Sequence, residues 1–116
     1  MSCVYECLIR EFRLKRTSPE KLLKILKKNN RRTTNVLWNH EELTEQQLNE
    51  NFERIVNIED NAYAGYECSS CDPILFLMAE LYNTSIVHDF NGVDMIYTNV
   101  KAKKRLRIQS NMHHMF

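Results

Sequence analysis

The segment from residue 72 to residue 83 constrains the fold of this chain more than any other. It begins with Asp72-Pro73 and continues ILFLMAELYN, in which apolar residues occupy most positions. An aspartate caps the free amides of a helix, and a proline fits the first turn, where its missing N–H costs nothing. Because a helix that is apolar on most sides must be buried on most sides, the segment predicts a central helix against which the rest of the chain packs.

After this helix, the spacing of apolar residues changes to every second residue. Two such runs, 86–90 and 93–97, flank an Asn-Gly pair, which is typical of the tight turn between antiparallel strands. A last alternating run, residues 105–109, predicts one more strand. The end of the chain therefore forms a small sheet.

Three further helices are predicted before residue 57. Apolar residues spaced three and four apart indicate the first over residues 4–14, and Ser18-Pro19 starts the second over residues 19–29. A capping box at Thr44 starts the third, which runs to about residue 56. The second helix should turn four residues inward, namely Leu22, Leu23, Ile25 and Leu26.

Residues 57–71 lose helical periodicity around Gly65 and predict a functional or covering loop. The order of elements predicts a single α+β domain over residues 1–116, with helices in the N-terminal two-thirds packed on a small C-terminal β-sheet.

Length and charge exclude several classes of protein. A chain of 116 residues is long enough to bury one core. Its 16 basic and 15 acidic residues leave a net charge of +1, so no overall field attracts nucleic acid or a membrane. No apolar run approaches the roughly 20 residues of a membrane-spanning helix, and the N-terminus lacks an export signal. We therefore expect a cytoplasmic protein whose four cysteines are reduced.

Cys3 is the first candidate for chemistry. It stands at the start of the first predicted helix, where unpaired amides and the helix dipole favour the thiolate. A nucleophilic thiolate also needs an imidazole as general base, and His113 and His114 near the other end of the chain are the candidates. The simpler interpretation makes Cys3 a small buried residue of the helix.

The chain resembles the ovarian tumour (OTU) family of cysteine proteases at several short motifs in the same order. Ser2-Cys3-Val4-Tyr5 and the helix to Phe12 are similar to the family's catalytic segment. Further matches are the helix at residues 22–30, Phe52 to Ile55, the aromatic-glycine loop at residues 63–66, the stretch from residue 74 to 86, and a closing arginine-leucine strand followed by asparagine and histidine.

This resemblance implies a papain-like fold and hydrolysis of the (iso)peptide bond after the C-terminal glycines of ubiquitin or a ubiquitin-like modifier. In a virus, the same machinery would process a polyprotein. Cys3 would be the nucleophile and His114 the base, with His113 as the alternative, because an apolar Met115 follows His114. The resemblance implies no metal and no cofactor, and the expected partner is ubiquitin or a relative of it rather than a membrane or nucleic acid.

The chain departs from the family pattern at both ends. The family has an aspartate and a glycine before the catalytic segment, where backbone amides help to form the oxyanion hole, whereas only Met1 and Ser2 precede Cys3 here. The family also places an acidic or amide residue close after the histidine, and Asn111 is the substitute available here. These differences indicate either a piece of a longer protein or a degenerate copy, which would act as a non-catalytic binding module of the same fold.

Two other groups of residues have alternative interpretations. Cys3 and Cys7 with Cys68 and Cys71 form two close pairs, as in structural zinc sites, and Cys68, Cys71, His113 and His114 form a second possible ligand set for a small zinc-stabilised interaction domain. The basic run at residues 101–107 predicts either phosphate binding or, as we favour, a solvated strand edge. His88, between Val87 and Asp89, is predicted to be structural.

Overall fold

In the computed structural model, residues 3–32, 35–58 and 72–110 are described, except for the side chains of Cys3, Val4 and Ser110. Within these ranges, the elements follow the chain as α1 (Cys3–Glu11), α2 (Pro19–Lys28), β1 (Val36–Trp38), α3 (Glu45–Val56), α4 (Pro73–Leu81), β2 (Thr84–Phe90), β3 (Val93–Asn99) and β4 (Lys104–Ser110). The α+β class predicted from the sequence is confirmed.

The apolar helix α4 is the centre of the fold, as predicted. Its first seven residues, Pro73 to Ala79, are all buried, and it contacts α2, α3 and three of the strands. Leu75, Met78 and Ala79 are fully enclosed, at 0% exposure. Burying a side chain of leucine size stabilises a fold by roughly 1.5–3 kcal/mol. This one helix therefore supplies a large part of the driving force for folding.

Local capping sets where the helices begin. The side chains of Ser18 and Asp72 accept hydrogen bonds from the first-turn amides of α2 and α4. Thr44 and Gln47 form the predicted capping box at α3, with distances of 3.1 and 2.8 Å. The N-termini of these helices agree with the sequence prediction, because each capping side chain accepts a hydrogen bond from an amide no more than three residues away.

Two details of the helix prediction are wrong. Helix α1 ends at Glu11 instead of continuing to residue 14, since Arg13 takes a left-handed conformation with φ of 54°. Ile25 was expected to face inward, but it is 36% exposed, because Leu22, Leu23 and Leu26 already fill the buried face of α2. The predicted loop at residues 57–71 lies outside the described residues from position 59 onward.

The four strands form one mixed sheet in the order β1-β3-β2-β4. Strands β2 and β3 form the predicted antiparallel hairpin. Its turn residues Asn91 and Gly92 have φ angles of 53° and 90°, a backbone region open to glycine and tolerated by asparagine. Strand β4 pairs with β2 in parallel, on the side away from β3. The connection at residues 100–103 therefore passes the starting end of β2 to reach the far edge of the sheet.

Strand β1 corrects the prediction that the N-terminal two-thirds of the chain contributes helices only. It lies between α2 and α3 in sequence and pairs antiparallel with β3. The neighbouring Asn39 extends this pairing, since its side-chain oxygen accepts from the Ile96 amide at 2.8 Å. Three residues are too few for an alternating pattern to be recognised, so the strand exists only through its partner β3.

The core lies on one face of the sheet. The sheet residues that belong to it are Val36, Ile86, Tyr97 and Ile108. Because Ile86 pairs with Tyr97 and with Leu106, and residues two apart share a face, these side chains all point toward the helices. The helices therefore cover one face of the sheet, and the other face, which carries Val87 and Arg107, is outside the core.

Candidate functional site

Cys3 is the first residue of α1, at the position predicted from the sequence. The first amides of a helix have no partner within it, and together with the helix dipole they stabilise an anion there. A helix N-terminus is in general a position at which a thiolate is favoured. The side chain of Cys3, like His113 and His114 in residues 111–116, lies outside the described residues.

One ring contact and one electrostatic interaction indicate that α1 and α4 run in the same direction. At one end, the ring of Phe12 lies 5.5 Å from the ring of Tyr82, which directly follows α4. At the other end, Tyr5 in the first turn of α1 is within electrostatic reach of Asp72, the N-cap of α4. The N-termini of the two helices therefore lie on the same side of the molecule.

The C-terminal ends of β2 and β4 lie on that side. Helix α4 runs antiparallel to β2, because only the turn at residues 82–83 separates them. At the N-terminal end of β2, where β3 ends, the side chain of Asn99 donates to the carbonyl of Ala79 near the end of α4, at 2.8 Å. The C-terminal end of α1 lies beside Lys104, where β4 begins. The N-terminus of α1 accordingly points toward the C-terminal ends of β2 and β4, at Phe90 and Ser110. From Ser110 the chain continues to His113 and His114.

A buried polar cluster lies beside the two helix N-termini. The hydroxyl of Tyr97 accepts from the Asp72 amide at 2.8 Å, and the Asp72 carboxylate accepts from the amides of Ile74 and Leu75 at 2.8 and 3.2 Å. The hydroxyl of Tyr5 is buried and has no hydrogen-bond partner among the described residues. Burial, and then the charge of Asp72, raises the pKa of Tyr5.

The sequence identified Asp72 in this cluster as a cap, but it gave no sign that Tyr5 and Tyr97 would join it. Their positions, 67 residues before and 25 residues after the cap, carry no local signal. The cluster forms because β3 packs against α4 and brings Tyr97 to the Asp72 amide, while Tyr5 of α1 lies within electrostatic reach of the Asp72 carboxylate.

His88 has the structural role predicted for it. Its side chain is 1% exposed, and its ring lies 6.3 Å from that of Phe90. Burial lowers the pKa of His88 to about 4, while the charge of Asp89 acts in the opposite direction. His88 is therefore neutral at pH 7, and a group with this pKa is a poor general base at that pH.

Cys7 lies in the core. It is 1% exposed, and Arg10 donates a hydrogen bond to its sulfur at 3.6 Å. In the described part of the chain, no group of three or more histidine, cysteine or acidic side chains is arranged to hold a metal ion. Cys68 and Cys71 lie outside the described residues, as do the terminal histidines, so zinc binding stays a prediction.

The basic run at residues 101–107 lies along a solvent-exposed strand edge, as we favoured, and phosphate binding by its residues stays a prediction. Strand β4 is at the edge of the sheet, and Lys101, Lys103, Lys104 and Arg105 are exposed. Arg107 points away from the helices and bridges three strands through Asp89 at 3.1 Å and Asp94 at 3.0 Å. Since the Arg107 side chain is largely accessible to water, the network contributes little to stability.

No known protein family, curated protein or solved structure matches this chain. None of the helices in the described ranges is both long enough and apolar enough to cross a membrane.

Proposed function

We propose that this chain is an OTU-type cysteine hydrolase that cleaves the (iso)peptide bond at the C-terminus of ubiquitin or a ubiquitin-like modifier. Cys3 is the nucleophile, and His114 is the general base, with His113 as the alternative. The observation that carries the proposal is the shared direction of α1 and α4, since it turns the helix N-terminus that bears Cys3 toward the C-terminal end of β4.

The chemistry follows from the residue types. The imidazole takes the proton of the Cys3 thiol, and the thiolate attacks the carbonyl carbon of the modifier's last glycine. The imidazolium then protonates the leaving lysine amine, which leaves a thioester on Cys3. A water molecule, deprotonated by the same imidazole, hydrolyses the thioester and restores the thiol. The unpaired amides of the first turn of α1 support both the thiolate and the oxyanion.

A reduced thiol is essential to this reaction, so the proposal includes a reducing compartment, such as the cytoplasm. It includes no metal and no cofactor, because thiolate and imidazole supply the nucleophile and the proton transfers.

A ubiquitin probe with a thiol-reactive group in place of its C-terminal carboxylate tests the proposal. We expect one probe molecule to attach to the wild-type chain and none to attach to Cys3→Ala. Cys68→Ala serves as the matched control and should be labelled like the wild type. Labelling that persists in Cys3→Ala would reject Cys3 as the nucleophile.

The choice of base requires a separate measurement. His114→Gln should slow labelling and remove its dependence on a group that titrates near neutral pH, whereas His113→Gln should keep the wild-type profile. If the two variants behave in the opposite way, His113 is the base. If both keep the wild-type rate and profile, neither imidazole acts on the thiol.

A non-catalytic ubiquitin-binding module is the second candidate, and the face of the sheet that no described helix covers favours it. On that face, Leu37 and Ile96 are only half-buried, next to the Arg107 network. Ubiquitin binding measured by calorimetry, together with no probe labelling of the wild-type chain, would select this function over hydrolysis.

A further inference from the structure

A cavity of about 590 Å³ lies at the end of the molecule opposite the N-terminus of α1. The last residues of α1 and the turn after it form one wall, and Tyr82 with the first residues of β2 and β4 forms the other. Its volume is within the range of roughly 300–1,000 Å³ that is typical of small-molecule sites. None of the described residues that line it belongs to the proposed catalytic set.

Positive charge exceeds negative charge around this cavity. Among the described residues that line it, Arg10, Arg13 and Lys104 are basic and only Glu11 carries a carboxylate. Glu11 accepts from the Arg10 guanidinium at 3.1 Å and so balances one of the cations. No ion pair of Arg13 or Lys104 occurs within the described ranges, and both side chains are exposed. The cavity therefore favours a ligand with more than one negative charge.

An apolar wall adjoins these charges. Phe12 and Tyr82 are half-buried and meet at an interplanar angle of 53°, and Leu106 lines the cavity beside them. The hydroxyl of Thr84 donates to the carbonyl of Tyr82 at 2.8 Å and fixes the turn that presents this ring. Burial raises the pKa of Tyr82, so its hydroxyl is neutral at pH 7 and does not repel an anion. A ligand that fits has an apolar or planar part as well as its charges.

The helix dipole explains only part of this arrangement. Basic residues in the last turn of a helix complement its negative end by roughly 0.3–1 kcal/mol, and Arg10 and Arg13 stand at the end of α1. Lys104 belongs to β4, which reaches this place by the connection that passes β2. The dipole of α1 does not require a lysine from another element at the same cavity.

We propose that this cavity binds a small organic phosphate of the nucleoside phosphate type, with its phosphates between Arg13 and Lys104 and its planar group against Phe12 and Tyr82. Guanidinium and ammonium groups are the usual protein ligands of phosphate, and an aromatic ring offers a stacking surface to a base. The site is independent of the proposed hydrolase activity, because it lies at the other end of β4 from Ser110.

Calorimetric titration of the full chain with ATP, tripolyphosphate and adenosine, at low ionic strength, tests the proposal. We expect ATP to bind most tightly, tripolyphosphate more weakly, and adenosine not measurably. The affinity for ATP should fall as salt is added. No heat of binding with millimolar ATP would overturn the proposal. Equal affinity for ATP and tripolyphosphate would overturn the role of the aromatic wall.

Variants locate the site. Lys104→Gln and Arg13→Asn each remove one cation, and asparagine suits the left-handed backbone at residue 13. Each should weaken ATP binding about tenfold, as the loss of one charge-assisted contact does. Phe12→Leu keeps an apolar side chain but should weaken ATP and leave tripolyphosphate unchanged. Lys24→Gln removes an exposed charge on α2 and should have no effect.

Thermal unfolding without ligand checks that each variant is folded. If Lys24→Gln weakens binding as much as Lys104→Gln, the attraction is diffuse and the proposal fails. It also fails if the cavity variants change stability alone and leave ATP affinity intact. The chain could instead bind vesicles that contain anionic lipid, or single-stranded RNA, more tightly than it binds ATP. If the same variants lose that binding, the surface belongs to the lipid or to the RNA.

Discussion

Acidification should destabilise this protein through His88, and a substitution can isolate the effect. His88 is 1% exposed on the core face of β2, and burial lowers its pKa from 6.5 to about 4. The unfolded chain therefore takes up a proton at higher pH than the folded chain does. The stability that depends on a neutral His88 is complete above about pH 6.5 and is lost as the pH falls toward 4.

The size of the effect follows from the same two pKa values. Between pH 7 and pH 5, proton binding to the unfolded state but not to the folded state lowers the free energy of unfolding by about 2 kcal/mol. This is a large fraction of the roughly 5–15 kcal/mol that stabilises a typical domain. The Asp89 charge opposes the shift, so its removal should extend the loss to lower pH.

Urea unfolding at pH 7 and pH 5 measures the effect in the wild-type chain and in His88→Gln. Glutamine keeps hydrogen-bonding groups at the site but does not titrate. The variant will have its own stability at pH 7, so the informative quantity is the change between the two pH values. We expect that change to be about 2 kcal/mol smaller in His88→Gln than in the wild type.

His40→Gln is the matched control, because His40 is exposed. Its unfolding free energy should depend on pH as that of the wild type does. The reasoning is wrong if the wild type and His88→Gln lose the same free energy between pH 7 and pH 5, or if a nuclear magnetic resonance titration finds the folded-state pKa of His88 near 6.5.

Three further predictions concern stability and use the same unfolding assay. Leu75→Ala should cost about 2–5 kcal/mol, because Leu75 is fully enclosed in α4 and its truncation leaves a cavity; a loss below 1 kcal/mol would contradict the central place of this helix. Thr44→Ala should cost about 1 kcal/mol by removing the acceptor of the Gln47 amide, and an unchanged midpoint would show that the capping box adds nothing. Gly92→Ala should cost about 1 kcal/mol through its φ of 90° alone, since no atom lies within 4 Å of an added methyl group; increased stability would disprove this origin.

The sequence predicted those features that are satisfied within a few residues. The starts of α2, α3 and α4 depend on caps that contact amides two or three positions away. The hairpin depends on the backbone freedom of Asn91 and Gly92. The central place of α4 follows from composition alone, because a helix with apolar residues on most sides has no face to leave in water.

The candidate site was predictable only in part. The sequence placed Cys3 at a helix N-terminus, which is a local property. The direction of that helix relative to β4 is indicated by the electrostatic interaction of Tyr5 with Asp72 and by the ring contact of Phe12 with Tyr82, and the residues of each pair are about 70 positions apart. No spacing of residues along the chain encodes such contacts.

Tertiary packing also decided the sheet and the cavity. A three-residue strand such as β1 is stable only when β3 is already present to pair with it, and the parallel pairing of β4 with β2 places the last strand beyond the hairpin. That placement brings Lys104 to the end of α1 and creates a cationic cavity from distant residues. The physical reason is range: caps and turns satisfy hydrogen bonds locally, whereas strand order and cavities arise from the burial of apolar surface by the whole chain at once.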